Sequence, residues 1–215
     1  MNDLSPLVSG TRVLVRQAKE WGEILLGFES RNRFELLTDE GAVLGHAAEE
    51  GGGFGTWFLR NLFGRCRAAT IHVYGNEGQE LGRGVKPFRW YFHRMEMFEG
   101  AKKLGAVQRR FSILNRVFTV ENAAGEEVLS IVSPFLRIWT FKLMFRGQQV
   151  GVISKRWGGL LREMFTDADT FGVEWSQQLP EEVRKLLVLG TFLIDFTCFE
   201  NNVGKGVLFD LALPD

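Results

Sequence analysis

"LLVLGTFLIDFTCFE", at residues 186–200, is an apolar stretch that decides which fold this chain of 215 residues can adopt. Pro180 stands before it, and Glu181 and Glu182 follow where a first helical turn would lie. Proline suits the start of a helix, and carboxylates at that end interact favourably with the helix dipole. The pattern predicts one helix over about residues 181–199.

The predicted helix must be enclosed by lipid or by protein, because only a narrow stripe of its surface is polar. A helix from Leu186 to Phe199 would extend about 21 Å, short of the roughly 30 Å hydrocarbon core of a bilayer. Asp195 would cost about 2.5 kcal/mol or more deep in lipid. A buried core helix is therefore favoured, and a single-pass membrane segment flanked by Arg184 and Lys185 is the alternative. The residues expected to fill the core, or to cross the membrane, are Leu186, Leu189, Phe192, Leu193, Asp195 and Phe196.

Four segments share a second pattern, in which two alternating apolar and polar runs flank a turn that contains glycine. They are "FELLTDEGAVLGHAA" (34–48), "IHVYGNEGQELGRGV" (71–85), "FTVENAAGEEVLSIV" (118–132) and "FKLMFRGQQVGVISK" (141–155). Further strand candidates are 11–16, 94–98, 104–111, 171–175 and 207–212. About a dozen strands with such short connections must be antiparallel, and closure hides their edges. We predict a mainly β fold, a closed antiparallel barrel of about twelve strands around the C-terminal helix, with Thr191 and Asp195 hydrogen-bonded near one mouth.

Composition argues against two classes of function. The 26 Lys and Arg residues balance the 26 Asp and Glu residues, so the chain lacks the basic excess of a dedicated nucleic-acid-binding protein. His46, His72 and His93 have no catalytic partner at a recognisable spacing, and we predict no enzyme activity and no catalytic residue. The absence of a signal-peptide pattern and of paired cysteines favours the cytoplasm. We expect a short tail over residues 1–10 and one domain over 11–215.

One long segment carries a family resemblance. "ISKRWGGLLREMFTDADTFGVEW" (153–175), followed by the helix stretch, closely resembles the phospholipid scramblase family. The likeness extends upstream through "GFESRNRFELLTDEG" and "VENAAGEEVLSI", so that it covers residues 13–201. The resemblance implies a tubby-like barrel of twelve strands around a C-terminal helix. It also implies phospholipid movement between leaflets in response to calcium, and a fold shared with phosphoinositide-binding proteins.

The calcium motif of that family would fall on "DADTFGVEWSQQ" (167–178). Asp167 and Asp169 supply carboxylates at the first and third positions of an oxygen-ligand loop. Phe171 and Gln178 occupy positions where further ligands are needed, so the motif predicts a weak Ca²⁺ site and no other cofactor. The alternative is that the two aspartates cap a turn before the strand at 171–175.

Two segments combine aromatic and basic residues and are candidates for lipid contact. "FLRNLFGRCRAA" (58–69) offers Arg60, Arg65 and Arg67 to an anionic leaflet, or forms a short amphipathic helix over the barrel end. "KPFRWYFHRMEM" (86–97) offers Arg89, Trp90 and Arg94 at a bilayer interface. Because apolar and polar residues alternate in this second segment, residues 88–92 are interpreted as a strand with one outward, interfacial side.

These observations support a scramblase-like protein that binds membrane phospholipids, anionic ones above all, and moves them in both directions between leaflets in a calcium-dependent manner. The alternative is a soluble module that binds phosphoinositides or anionic lipids without transport. We expect the protein at the inner membrane face as a peripheral protein. A barrel filled by its own helix offers no groove for head groups across the bilayer, so transport points to a homo-oligomer or a partner.

Overall fold

A computed structural model of the chain describes residues 3–18, 30–50, 66–134, 139–155 and 170–199. Twelve β-strands lie within these ranges. In chain order they are β1 (Arg12–Gln17), β2 (Ser30–Leu37), β3 (Val43–Glu50), β4 (Ala69–Tyr74), β5 (Glu80–Lys86), β6 (Arg94–Glu99), β7 (Lys102–Arg110), β8 (Asn115–Asn122), β9 (Glu127–Pro134), β10 (Thr140–Phe145), β11 (Gln148–Ser154) and β12 (Thr170–Trp175).

The twelve strands form one closed antiparallel barrel. Each strand pairs with its neighbours in sequence, and β1 pairs with β12 to close the ring, which places Val13 opposite Val173. Closure leaves no unpaired edge strand. This is why many short antiparallel strands in one domain are expected to form a barrel. The predicted mainly β fold of about twelve antiparallel strands is confirmed.

The hairpins predicted from the repeated pattern are all present, as β2–β3, β4–β5, β8–β9 and β10–β11. Their turn residues Gly41, Gly78 and Gly125 have φ angles of 82°, 80° and 83°, which glycine adopts at no steric cost. The further strand candidates before residue 176 correspond to β1, β6, β7 and β12. The candidate at 207–212 lies outside the described residues.

The two ends of the barrel differ in their connections. Tight hairpin turns lie at one end, the turn end, at residues 38–42, 75–79, 100–101, 123–126 and 146–147. Because antiparallel strands alternate in direction, the connections that follow β5 and β7 emerge at the opposite end, which we call the loop end.

Helix α1 (Glu181–Ile194) continues into a π-helical turn (Asp195–Phe199) and lies inside the barrel. It begins directly after Pro180 and contacts strands β5, β6, β7, β8 and β12. Its apolar side chains join those of the strands in one continuous core, to which it contributes Leu186, Leu189, Phe192, Leu193 and Phe196. The prediction that the apolar C-terminal helix fills the barrel is confirmed.

The first residues of the chain lie against the turn end, although the sequence suggested a short tail. Ser5–Val8 form a 3₁₀ helix, and Leu4, Leu7 and Val8 are buried in the core. The Ser5 hydroxyl donates a hydrogen bond of 2.6 Å to the Glu181 carboxylate. These apolar side chains cover the barrel where α1 enters, which explains why the segment packs instead of extending into solvent.

A buried ion pair also anchors the start of α1. Lys185 Nζ lies 3.1 Å from Glu99 Oε1, which also accepts a hydrogen bond of 2.9 Å from the Leu4 amide. Burial disfavours the charged form of Lys185, but the hydrogen bond to Glu99 and the charge of that carboxylate raise its pKa above the usual value. The lysine therefore remains protonated and links α1, β6 and the N-terminal segment.

Gly105 on β7 provides a test of how closely β7 packs against β8 and against α1. A Cβ at this position would lie 2.0 Å from the Glu121 main-chain oxygen and 3.1 Å from Leu186 Cδ2. Gly105→Ala is therefore expected to lower the free energy of unfolding by about 1–3 kcal/mol in urea denaturation. Gly10→Ala is the control, since the nearest atom there is 3.9 Å away. Equal stability of the two variants would contradict the tight packing.

Candidate functional site at the loop end of the barrel

Exposed apolar side chains concentrate at the loop end. Within the described ranges, eight large apolar side chains are exposed, and seven of them lie on two loops at this end. The aromatic loop (residues 87–93) carries Phe88, Trp90, Tyr91 and Phe92, and the apolar loop (residues 111–114) carries Phe111, Ile113 and Leu114. The eighth, Val43, is near the turn end and is 38% exposed, whereas Tyr91 and Ile113 are 78% and 81% exposed. A monomer that exposes such a cluster normally uses it to bind a partner or a membrane.

The two loops leave the barrel side by side. The aromatic loop joins β5 to β6, the apolar loop joins β7 to β8, and β6 pairs directly with β7. The Arg109 amide donates a hydrogen bond of 2.8 Å to the His93 carbonyl, so the end of one loop adjoins the start of the other. The loops therefore form one surface rather than two separate projections.

The interpretation of residues 88–92 as a strand is wrong. They form a loop between β5 and β6, in which Phe92 has a left-handed φ of 52°. Pro87 has no amide hydrogen to donate to a neighbouring strand. The Arg89 amide instead donates to the Cys66 carbonyl at 3.0 Å, and the Phe88 and Trp90 rings meet edge to face at 5.3 Å. The alternation of residue types predicted one buried and one exposed side. It was misleading because Trp90 on the first side and Tyr91 on the second are both exposed.

The predicted lipid-contact arginines have different environments. Arg67 is buried, and its guanidinium donates to the Glu49 carboxylate, which also accepts a 2.7 Å hydrogen bond from Asn32. The same guanidinium lies over the Phe196 ring at 5.4 Å. Arg67 is thus part of the interior beneath the loop end. Arg89 is half-buried within the aromatic loop, while Arg60 and Arg65 lie outside the described residues.

Arg94 belongs to a charged cluster on the outer wall just below the loops. Its Nη1 donates to Gln108 and to Glu121 Oε2, both at 2.7 Å. Arg110 donates from Nη2 to Glu121 Oε1 at 2.8 Å and from Nε to the Thr119 hydroxyl at 2.9 Å. We call Arg94, Arg110 and Glu121 the arginine cluster. Two guanidinium groups share one carboxylate in it.

Thr191 and Asp195, which the sequence analysis placed near one mouth of the barrel, have different environments. Thr191 is buried, and its hydroxyl donates to the Val188 carbonyl at 2.6 Å. Asp195 is close to Lys155, with 3.8 Å between Oδ1 and Nζ, at the loop end of the barrel. No helix in the described part of the chain has the length and apolar character needed to span a bilayer.

Sequence reasoning missed the apolar loop. Residue 111 was included in a predicted strand, and the following Ser-Ile-Leu was not interpreted. The available signal was that a connection of only four residues between two strands carries three large apolar side chains. A connection of this kind is normally polar.

The predicted calcium ligands cannot be placed in this geometry. Asp167 and Asp169 lie outside the described residues. Within the described ranges there is no group of three or more His, Cys, Asp or Glu side chains arranged to hold a metal ion.

The closed barrel of twelve antiparallel strands around one C-terminal helix defines the class of fold, and the chain belongs to the scramblase family. The family model described as "Scramblase" matches residues 1–201. The chain is 30% identical over 203 residues to phospholipid scramblase 2 of Homo sapiens and 31% identical over 205 residues to phospholipid scramblase 1 of Homo sapiens. It is also 28% identical to phospholipid scramblase family member 5 of Homo sapiens.

These alignments cover most of this chain but less of the relatives. They include 87%, 88% and 89% of this chain, in the same order, and 67%, 63% and 74% of the relatives' own lengths. The chain thus spans about two thirds of the curated relatives that it matches. The sequence similarity therefore concerns the barrel domain, which is the part that this chain shares with these relatives.

Proposed function

We propose that this protein binds membrane phospholipids through the loop end of its barrel and acts on them as a scramblase-like protein. One observation carries the proposal, namely that seven of the eight large exposed apolar side chains in the described ranges lie on the two neighbouring loops. The family membership supplies the class of ligand. The exposed apolar side chains of the two loops supply the contact with that ligand.

The composition of the two loops suits the bilayer interface. Trp90 and Tyr91 combine an apolar ring with a polar group, and such side chains concentrate at the headgroup level of membranes. Ile113 and Leu114 have no polar group and would reach further, to the start of the acyl chains. Because each fully buried side chain of this size contributes about 1.5–3 kcal/mol, several partly inserted ones suffice for peripheral binding.

This mode of binding leaves the barrel intact. The apolar face of α1 is already enclosed by strands, so the helix is not needed as a membrane anchor. Transport, in this proposal, occurs along the outside of the barrel or between copies of it, where inserted loops disturb lipid packing. The competing function is a binding module for anionic lipids that does not transport them.

Calcium dependence forms a separate part of the proposal. The sequence pattern at Asp167 and Asp169 supplies two oxygen ligands shortly before the first residue of β12. We propose that Ca²⁺ binds there weakly and increases lipid movement. Parallel flip-flop assays of the parent chain and Asp169→Asn, with calcium or with chelator, test this part independently of lipid binding.

Removing one apolar side chain from each loop tests the membrane surface. Trp90→Ser combined with Ile113→Ser is expected to weaken binding to phospholipid vesicles by about a hundredfold, because each change removes roughly 1–1.5 kcal/mol of apolar insertion. Vesicle flotation over a range of lipid concentrations measures the loss. Both side chains are exposed, so the melting temperature should remain close to that of the parent chain.

Val43→Ser is the matched control, since it removes an exposed apolar side chain near the turn end. It should leave vesicle binding unchanged. Binding that is equally strong in the parent, the double variant and the control would contradict the proposal. If the parent binds but does not accelerate flip-flop of a fluorescent phospholipid in reconstituted vesicles, the binding-module function is correct instead.

A further inference from the structure

We infer that Ser112, on the apolar loop, is a phosphorylation site for a protein kinase that selects basic residues, and that its phosphorylation detaches this loop from the membrane. The inference rests on the proposed function and adds a means of regulating it. Two consecutive arginines, Arg109 and Arg110, precede Ser112 by three and two residues. Nowhere else in the sequence do two consecutive Lys or Arg residues stand at this spacing before a Ser or Thr.

The hydroxyl of Ser112 is accessible at the loop end. Its three companions on the apolar loop, Phe111, Ile113 and Leu114, are each more than three-quarters exposed, and Ser112 itself is partly exposed. Ser112 Oγ accepts one long hydrogen bond, 3.3 Å, from the Asn115 amide. As a donor, the hydroxyl has no partner in the part of the chain that the structure describes. It can therefore be presented to an enzyme without breaking a buried contact.

The two arginines are held in an extended conformation at the end of β7. The ladder between β6 and β7 ends at the pair of Arg94 and Gln108, whereas Arg109 and Arg110 remain paired with β8. Successive side chains of a strand point to opposite faces, so the two guanidinium groups lie on both sides of the backbone. Arg110 is 45% exposed, and the side chain of Arg109 has no hydrogen bond or ion pair within the described ranges. A kinase whose substrate groove carries carboxylates would recognise this pair.

The transfer uses ATP, which the kinase binds together with Mg²⁺. Ser112 Oγ attacks the γ-phosphorus of ATP and forms a new O–P bond, while the bond from the γ-phosphorus to the bridging oxygen breaks and ADP leaves. The hydroxyl proton passes to a carboxylate of the kinase. The product is a phosphoserine that carries a charge of about −1.5 to −2 at neutral pH.

This charge is placed among the side chains that would enter the bilayer. Ile113 and Leu114 follow Ser112 directly, so they cannot reach the acyl chains unless the phosphate also leaves water. The cost of taking an ionised phosphate out of water exceeds the gain from burying these side chains. The phosphorylated loop therefore remains in solution. Trp90 and Tyr91 on the neighbouring aromatic loop are unmodified, so binding is weakened and not abolished.

The test treats the purified chain with ATP and the catalytic subunit of cyclic-AMP-dependent protein kinase. Peptide mass spectrometry should locate phosphate at Ser112, and Arg109→Gln should slow its incorporation at least about tenfold because one charged contact with the kinase is lost. Flotation with phosphatidylcholine vesicles then compares the chain treated with and without ATP. Phosphorylation should weaken binding about a hundredfold, as expected when two apolar side chains no longer insert. These vesicles carry no net charge, so repulsion by an anionic surface does not contribute.

Ser112→Ala is the control for the treatment, and it should bind vesicles equally with and without ATP. Ser112→Glu should bind more weakly than Ser112→Gln, which has nearly the same shape without the charge, while both keep the melting temperature of the parent chain. No phosphate at Ser112 would overturn the modification site. A loss of binding that also occurs in treated Ser112→Ala, or unchanged binding after phosphorylation of Ser112, would overturn the switch but leave the proposed function intact. Failure of the untreated parent chain to bind vesicles would overturn both.

Discussion

Replacing Phe192 by alanine is expected to lower the free energy of unfolding by about 3–5 kcal/mol, which is a large part of the stability of a typical domain. Phe192 lies on α1 and is completely buried in the barrel. Its ring meets Phe34 on β2 at 5.2 Å and Phe171 on β12 at 6.2 Å, both edge to face. The substitution would leave a cavity at the point where the helix joins two walls of the barrel.

Urea denaturation followed by circular dichroism measures this loss. Phe111→Ala is the matched control, because the same side chain is removed from a position that is 76% exposed. It should change the free energy of unfolding by less than about 0.5 kcal/mol. If Phe192→Ala were as stable as Phe111→Ala, the helix could not be packed inside the barrel as described.

Arg67→Met is expected to destabilise the protein by about 3–5 kcal/mol, since it leaves the carboxylate of Glu49 buried without its cation. Glu49 is 1% exposed and receives hydrogen bonds from both Arg67 and Asn32. Lys86, which is also buried, donates to the main-chain carbonyl of Arg67, an acceptor that the substitution retains. Thermal and urea unfolding at neutral pH provide the measurement.

A second substitution separates the charge from the packing. Adding Glu49→Gln to Arg67→Met removes the uncompensated carboxylate, and the double variant should recover part of the lost stability. Arg67→Met should also affect vesicle binding less than the Trp90 and Ile113 double variant does. A chain that stays fully stable after Arg67→Met but loses lipid binding would instead show that Arg67 acts at the membrane.

These two substitutions and the loop variants address different parts of one architecture. The interior is occupied by α1, its aromatic contacts and the Arg67–Glu49 pair. Since the helix is enclosed, contact with a bilayer must come from the outer surface, and the exposed apolar residues of the loop end are the part of the described surface suited to it. Stability and membrane binding should therefore respond to separate sets of mutations.

The parts of the fold that depend on local periodicity could be predicted from sequence. Alternating side chains and turn glycines identified the four hairpins, because residues in a strand point in turn to opposite faces. The helix after Pro180 was recognisable from its apolar length and its acidic first turn. Its burial followed from a comparison of about 21 Å of helix with about 30 Å of hydrocarbon.

The candidate site was predicted less well, because its members are defined by exposure. Trp90 was identified as a candidate for lipid contact because its segment combines aromatic and basic residues. The segment was predicted to be a strand, whereas Trp90 lies in a loop. The apolar loop at 111–114 resembled the end of a strand, since apolar residues in sequence do not reveal which side they face. The environment of Arg110 is set by its hydrogen bonds to Thr119 and Glu121, which lie beside it on strand β8.

Local sequence patterns were enough to predict the order of strands and turns, the apolar helix and the family likeness, because each of these is encoded in neighbouring residues. Which arginines lie inside the barrel and which lie outside it became clear only from the three-dimensional arrangement. Arg67 and Arg94 are both arginines beside aromatic segments, yet the first is buried against Glu49 and Phe196 and the second lies on the outer wall with Glu121. Burial and pairing depend on residues that closure of the barrel brings together from distant parts of the chain, and no local pattern records which residues will meet.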